Sequence, residues 1–163
     1  MKRNEILTLL GGSGFIGSNI VKEAAKTGVK IKVVGHNASA HNDLRVCGYV
    51  GQIALIDANL MDDKQLEDAV KRSDYVVNLL GILFEKRNKT FQKVHIEVAR
   101  KIAEFCGKHG VKKLVHFSAL GVDIAITSKY AQTKLEGERV IKKEFKDVTI
   151  LRPSVVFGPN DNF

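Results

Sequence analysis

The chain has 163 residues, of which 44% are hydrophobic and 27% charged, so it can bury a core and is not a disordered chain; its length fits one domain. The net charge of +8 raises nucleic acid or an anionic surface as partners. The basic runs at 84–89, 108–113 and 140–146 fall in expected loops and at a helix end, without interleaved aromatics, so a solvated surface and no nucleic-acid role is the expectation. The apolar run "ILTLL" is too short for a signal-peptide core or a membrane span. Cys47 and Cys106 lack a CxxC partner and suggest reduced thiols. Together these predict a soluble, cytoplasmic protein with no transmembrane segment and no metal site.

In chain order, the first strand is expected at 5–10, followed directly by "LLGGSGFIGSNI" and a helix over 14–26. Gly11, Gly14 and Gly17 form a GxxGxxG pattern between strand and helix. The first glycine suits a tight turn, the second lets backbone approach a pyrophosphate, and the third allows close helix–strand packing. Free N–H groups at the helix start would face the phosphates. Gly28 lies just past that helix, and a second strand is expected at 30–35. An NAD-selective site places an acid at this strand's end, but here the chain reads "VVGHN" and offers no carboxylate until Asp43. His36 and Asn37, with charge from Lys32 or Arg45, favour NADP(H) over NAD(H); the alternative is that His36 is an exposed loop residue.

Residues 36–52 read as a degenerate helix or an exposed loop. A strand at 53–57 and a helix over 63–72, capped by Asp62, come next. Strands at 75–80, 113–118 and 149–152 alternate with helices over 90–109 and 128–144. No repeat, low-complexity tract or linker interrupts them. Several strands are continuously apolar, as parallel strands covered on both faces are. The order predicts an α/β fold: a Rossmann-type doubly wound parallel sheet.

The last helix contains "SKYAQTKLEGE". Tyr130 and Lys134 are four apart and share a helix face, so both can enter one cleft. A tyrosine pKa near about 10 is too high for easy proton exchange at neutral pH, and a neighbouring ammonium lowers it. The pair then suits general acid–base chemistry beside a nicotinamide. The other reading is that Tyr130 packs and Lys134 is solvated.

"GGSGFIG", "ANLMD" (58–62), "VVNLLGIL" (76–83), "HFSALG" (116–121), "YAQTK" (130–134) and "LRPSVVFGP" (151–159) occur in this order. Together they resemble the extended and atypical short-chain dehydrogenase/reductases, the NAD-dependent epimerase/dehydratase group. "NLLGILFE", "SALG" and "LRPSVVFGPNDNF" are similar to the branch that includes the NADPH-binding accessory subunit of respiratory complex I and its bacterial relatives. The resemblance spans essentially the whole chain. It implies that Gly11, Ser13, Gly14, Phe15, Ile16 and Gly17 lie along the dinucleotide. It also implies that Asn59 and Leu60 contact adenine, Leu80 and Gly81 line the cofactor, and Pro153 and Ser154 approach the nicotinamide. For Asn59, Leu60 and Leu80, ordinary loop or core packing stays open.

In the family the lysine also holds the nicotinamide ribose, which here falls to Lys134. The serine that orients a substrate carbonyl aligns with Ala119, one place after Ser118, which is left as a polar helper or a pocket-lining residue. His95 stands where many extended members have a cofactor-site asparagine; it either hydrogen-bonds locally or is a satisfied helix histidine. The family also continues into a substrate-binding lobe, so residues 1–163 are expected to be a single NAD(P)-binding domain without that lobe. The tail 157–163 is expected to fray, and an unpaired sheet edge to recruit a copy of the chain or a respiratory-complex partner.

Three functions follow. The first is an NAD(P)-dependent oxidoreductase or epimerase with Tyr130 as acid/base, Lys134 as pKa modifier and Ser118 as helper. The second is a non-catalytic NADPH-binding accessory or assembly subunit of a respiratory NADH–quinone oxidoreductase, peripheral at a membrane complex. The third is a redox-sensing regulator.

Overall fold

A computed structural model describes residues 4–87 and 89–158. Six strands, β1 (Ile6–Leu10), β2 (Lys30–Gly35), β3 (Ile53–Asp57), β4 (Tyr75–Asn78), β5 (Lys113–Phe117) and β6 (Val148–Leu151), form one sheet. All pairings are parallel and the strand order is β3-β2-β1-β4-β5-β6. The chain winds outward in both directions from the β1/β4 pair. That reversal opens a crevice at the carboxyl ends of these two strands, where ligands of open α/β sheets bind. The doubly wound fold read from the sequence is therefore the fold observed.

Two apolar cores lie on opposite faces of the sheet. On one face, α1 (Phe15–Ala25) sets Val21, Ala24 and Ala25 against Leu9, Ile31 and Val33. On the other, α2 (Asp63–Val70), α3 (Val98–Lys108) and α4 (Lys129–Glu144) cover Leu10, Val34, Val76 and Leu114. Adjacent buried strand residues thus serve opposite cores, which is why these strands read as unbroken apolar runs. On the α1 face, an apolar cleft of about 850 Å³ opens beside β4 and β5, lined by Ile16, Ile20, Tyr75, Val77, Val115 and Phe157. It does not reach Tyr130 or Lys134.

Several boundaries follow from local hydrogen bonds. Asp62 caps α2 by accepting from Gln65 N (2.9 Å), and Ser128 caps α4 by accepting from Ala131 N (3.3 Å). Gly28 and Gly110 take the left-handed conformation past α1 and α3. β4 ends at Asn78, two residues before its expected end, because the Asn78 side chain accepts from Leu80 N (3.0 Å) and draws the chain out of the ladder. Residues 36–52 hold two short 3₁₀ turns, Ala38–Ala40 and Asn42–Cys47. The expectation of a frayed tail covers 157–163, of which 159–163 lie outside the described residues.

The helix expected over 90–109 is not α-helical throughout. It begins with a π-helical turn, Gln92–Glu97, that runs into α3. This wider turn lies where α4 crosses at Gly137, whose missing side chain makes room for the His95 carbonyl; a Cβ there would collide with that oxygen. Gly137→Ala therefore sets two effects against each other. Helix propensity favours alanine by about 1 kcal/mol, but a clash with backbone cannot be relieved by rotating a side chain and costs up to about 3 kcal/mol. The clash wins, and thermal melts should show a fall of roughly 4–8 °C. A raised melting temperature would mean that the two helices are not in this contact.

Candidate functional site

The crevice is built first from the loop joining β1 to α1. Gly11 adopts φ +80 and donates its N–H to Val34 O (2.8 Å), making the tight turn. Gly17 packs on Gly12, where a Cβ would overlap Gly12 backbone. Gly14 is different: it is exposed, and a Cβ there would meet only Gly11 O at 3.6 Å, an ordinary contact. The space in front of Gly14 is therefore open. No side chain caps α1 and no acid occupies its first turn, so the amides of Phe15, Ile16 and Gly17 face that space without a competing carboxylate. Ser13 is half-buried beside Gly35. This is a cradle that fits a phosphate.

At the end of β2, His36 and Asn37 are exposed, and Asn37 is left-handed at φ 79. Lys32 cannot supply charge there: its ammonium donates to Ala69 O and Lys71 O (both 2.8 Å) at the end of α2. A carboxylate absent from the sequence reading of this region arrives from the adjacent strand. Asp57, in register with Gly35, accepts from Ser39 N (2.8 Å) and Ser39 Oγ (2.5 Å). Those bonds, with the neighbouring His36, hold its carboxyl below the usual range. Nearby, Asn59 is exposed and its side chain accepts from Met61 N (3.1 Å), whereas Leu60 is buried in the core. The side chain of Leu60 is thus not open to a ligand.

Tyr130 and Lys134 do share one face of α4, as the spacing predicts. Lys134 is 4% exposed, and its ammonium donates to Phe117 O (2.6 Å) at the end of β5. Burial brings its pKa down to about 8, with Glu138 opposing. Tyr130 is half-buried and burial raises its pKa. The expected lowering by Lys134 is not present: burial is what acts on the Tyr130 hydroxyl, and the Lys134 ammonium points to the Phe117 carbonyl. Ser118 also departs from its expected helper role. Its hydroxyl is buried beside Glu138, whose carboxyl it helps to hold low, and does not open into the crevice.

A buried polar network supports these residues, and most of it was not foreseen. Glu138 is held by Arg152 through two bonds (2.8 Å each), and Arg152 also donates to Asp123 (2.6 Å). Burial raises the Glu138 pKa, but these partners outweigh it and keep the carboxyl low. Asn78 Nδ2 donates to His116 Nδ1 (3.0 Å), joining β4 to β5 beneath α4. The arrangement links the glycine loop to the tyrosine. Leu80 lies over Gly11, Ile82 N donates to His95 Nε2 (3.3 Å), and the His95 ring meets the Tyr130 ring edge-on at 5.3 Å. Gly81 is exposed between them, while Pro153 accepts from Leu120 N (2.9 Å) and Ser154 is exposed at the same edge.

The profile of the NAD dependent epimerase/dehydratase family matches residues 7–163. The chain belongs to this family. Its NAD(P)-binding character and its fold agree with the crevice described above. Among curated relatives of this epimerase/dehydratase chain is the mitochondrial NADH-ubiquinone oxidoreductase 40 kDa subunit of Neurospora crassa. The two are 32% identical, over 94% of this chain and 41% of that subunit. The chain thus spans about two fifths of the length of the first curated relatives it matches. A solved NAD-dependent epimerase/dehydratase homologue from Bacillus halodurans superposes with a TM-score of 0.81 at 19% identity, covering 98% of this chain and 74% of that one. The Bordetella bronchiseptica enzyme WbmG, solved with NAD, gives a TM-score of 0.71 at 19% identity, covering 91% of this chain and 53% of that enzyme. At such identities these structures show the fold alone. In this family member, among the described residues, no helix is long and apolar enough to cross a membrane.

Proposed function

We propose that residues 1–163 form one dinucleotide-binding domain that takes NADP(H) in preference to NAD(H), and that it binds rather than turns over. The observation that carries this reading is the contrast inside the crevice. The cradle is open at Gly14 and free of acids, whereas Tyr130 has a raised pKa and Ser118 is buried. Gly11 to Gly17 would hold the pyrophosphate, Asn59 the adenine, Leu80 and Gly81 the middle of the cofactor, and Lys134, Pro153 and Ser154 its nicotinamide end. The preference for NADP(H) is supported by exposed His36 and Asn37, and by Asp57 being tied to Ser39 rather than free to pair with ribose hydroxyls. The likeness to the Neurospora subunit supports an accessory role beside a respiratory NADH–quinone oxidoreductase, with the bound dinucleotide stabilising the fold by mass action.

Oxidoreductase or epimerase activity is the second reading, favoured by one observation: Tyr130 and Lys134 lie on one helix face, with Lys134 buried at the end of β5. There the nicotinamide would accept or donate hydride while Tyr130 moves a proton and Lys134 holds the ribose. Calorimetric and thermal-shift titrations with NADPH and NADH test both readings. NADPH should bind about tenfold or more tightly than NADH, since the extra phosphate adds charge-assisted bonds. Tyr130→Phe should leave that affinity within about twofold, because the hydroxyl is assigned to proton transfer and not to binding. Equal affinity for the two dinucleotides would overturn the preference. Oxidation of bound NADPH by a carbonyl substrate, lost in Tyr130→Phe, would establish the second reading over the first.

A further inference from the structure

His95 is 2% exposed, yet four groups converge on its ring. Phe91 stacks on it at 5.2 Å and 22°, and Tyr130 meets it edge-on at 5.3 Å and 89°. Its Nδ1 is 3.0 Å from Thr133 Oγ1, and its Nε2 is 3.3 Å from Ile82 N. The hydrogen positions follow from these partners. Thr133 has one hydroxyl proton, and Lys129 O (2.9 Å) and Tyr130 O (3.0 Å) are both placed to take it. Toward His95 the hydroxyl therefore accepts, which puts the ring proton on Nδ1 and leaves Nε2 as the acceptor that Ile82 N–H requires. Only this neutral tautomer satisfies all partners.

Ile82 is the far end of a short segment anchored twice. Asn78 Oδ1 holds Leu80 N at its near end, and His95 holds Ile82 N at the other, with exposed Gly81 between. The same ring bounds one edge of Tyr130. We propose that His95 is a positioning residue: through one fixed tautomer it sets the 80–82 backbone against the glycine loop and holds the Tyr130 ring in its place on α4. The benefit to the cofactor rests on the dinucleotide-binding reading; the anchoring of Ile82 does not.

The π-helical turn fits this role. His95 lies within it, and the turn brings the His95 carbonyl against Gly137, so the ring is fixed from its backbone as well as from its partners. The charged and titratable groups acting on it are Lys134 and His116, which oppose a positive ring, and Glu85, which favours one.

The test compares wild type with His95→Phe, His95→Gln and Thr133→Val. It measures amide exchange of Ile82 by NMR without ligand, and NADPH affinity by calorimetry. His95→Phe keeps an aromatic ring but removes the acceptor, so Ile82 should exchange about tenfold faster. NADPH binding should weaken about threefold or more as the segment loosens. His95→Gln supplies both an acceptor and a donor and should restore most of the protection. Thr133→Val removes the tautomer lock and should speed Ile82 exchange without moving distant amides, a test that survives even where His95→Phe fails to fold. In wild type, Ile82 protection should fall as pH drops through about 4, where the ring charges, and His95→Gln should not show this step. Unchanged Ile82 exchange in both His95→Phe and Thr133→Val would overturn the proposal. Wild type that binds neither dinucleotide would refute the binding reading instead, leaving the exchange data to decide the anchor.

Discussion

Between pH 7.5 and pH 5 the folded chain is expected to lose about 4 kcal/mol of stability, a large part of what a domain of this kind possesses. The cause is two buried histidines. His95 and His116 are each 2% exposed. Burial, and then the Lys134 charge, hold their pKa values at about 4 and about 3, against 6.5 for a free ring. As pH falls below 6.5 the unfolded chain takes up a proton on each, and the folded chain does not. A base with a depressed folded pKa therefore contributes full stability above 6.5 and loses it progressively until the folded ring itself titrates. Each histidine accounts for about 1.4 kcal/mol per pH unit once the unfolded ring is mostly charged, or about 2 kcal/mol by pH 5.

The carboxylates held low by partners, such as Asp74 and Glu67, add their own loss only around and below their ordinary values of 3.8 and 4.5. The slope above pH 5 thus belongs to the bases. Urea unfolding at half-unit pH steps measures it directly. His116→Asn should halve the slope, since the side chain no longer takes a proton in the unfolded state. A stability curve flat from pH 7.5 to 5 would mean that these rings take up protons in the folded protein as readily as in the unfolded chain.

What could be read from the sequence was what depends on neighbours along the chain. β1 and β2 run as expected because each is a largely buried strand whose residues alternate between two cores, β3 is the more exposed strand at the sheet's edge beside them, and the glycine loop is legible because turn, cradle and packing roles recur every three residues. What could not be read depends on register across elements. Asn78 and His116 are 38 positions apart, as are His95 and Thr133, and only strand pairing and the α3/α4 packing bring them together. Asp57 reaches the end of β2 only through its pairing with Gly35. Ser118 shows the same limit in reverse: its place after β5 suggested a role in the crevice, but its side chain lies on the face under α4. The π-helical turn left one trace. Gly137 sits inside an otherwise unbroken helix, where glycine costs about 1 kcal/mol, and a backbone passing close by is the reason it is needed.

Gly14→Val is expected to leave a folded protein that has lost dinucleotide binding by about a hundredfold or more, while Gly17→Val, three residues on, should fail to fold stably. The contrast comes from what each Cβ meets. At Gly14 the backbone is extended at φ −74, ψ 177, which valine adopts readily, and the nearest atom is Gly11 O at 3.6 Å. Its cost to the free protein is a poorer helix cap, about 1 kcal/mol. Yet its methyl groups fill the space from which a pyrophosphate would approach the α1 amides, and forfeiting two charge-assisted hydrogen bonds is worth roughly 3 kcal/mol or more. At Gly17 a side chain overlaps the backbone of Gly12, and Gly12 has nowhere to go, since Leu9 and Val33 lie directly behind it. Overpacking against backbone on two sides exceeds the usual cost of about 1–3 kcal/mol and strikes the β1–α1 contact on which the sheet is built. Circular dichroism separates the two variants by fold, and calorimetry separates Gly14→Val from wild type by affinity. Full NADPH affinity in a folded Gly14→Val protein would place the cofactor somewhere other than the β1/β4 crevice.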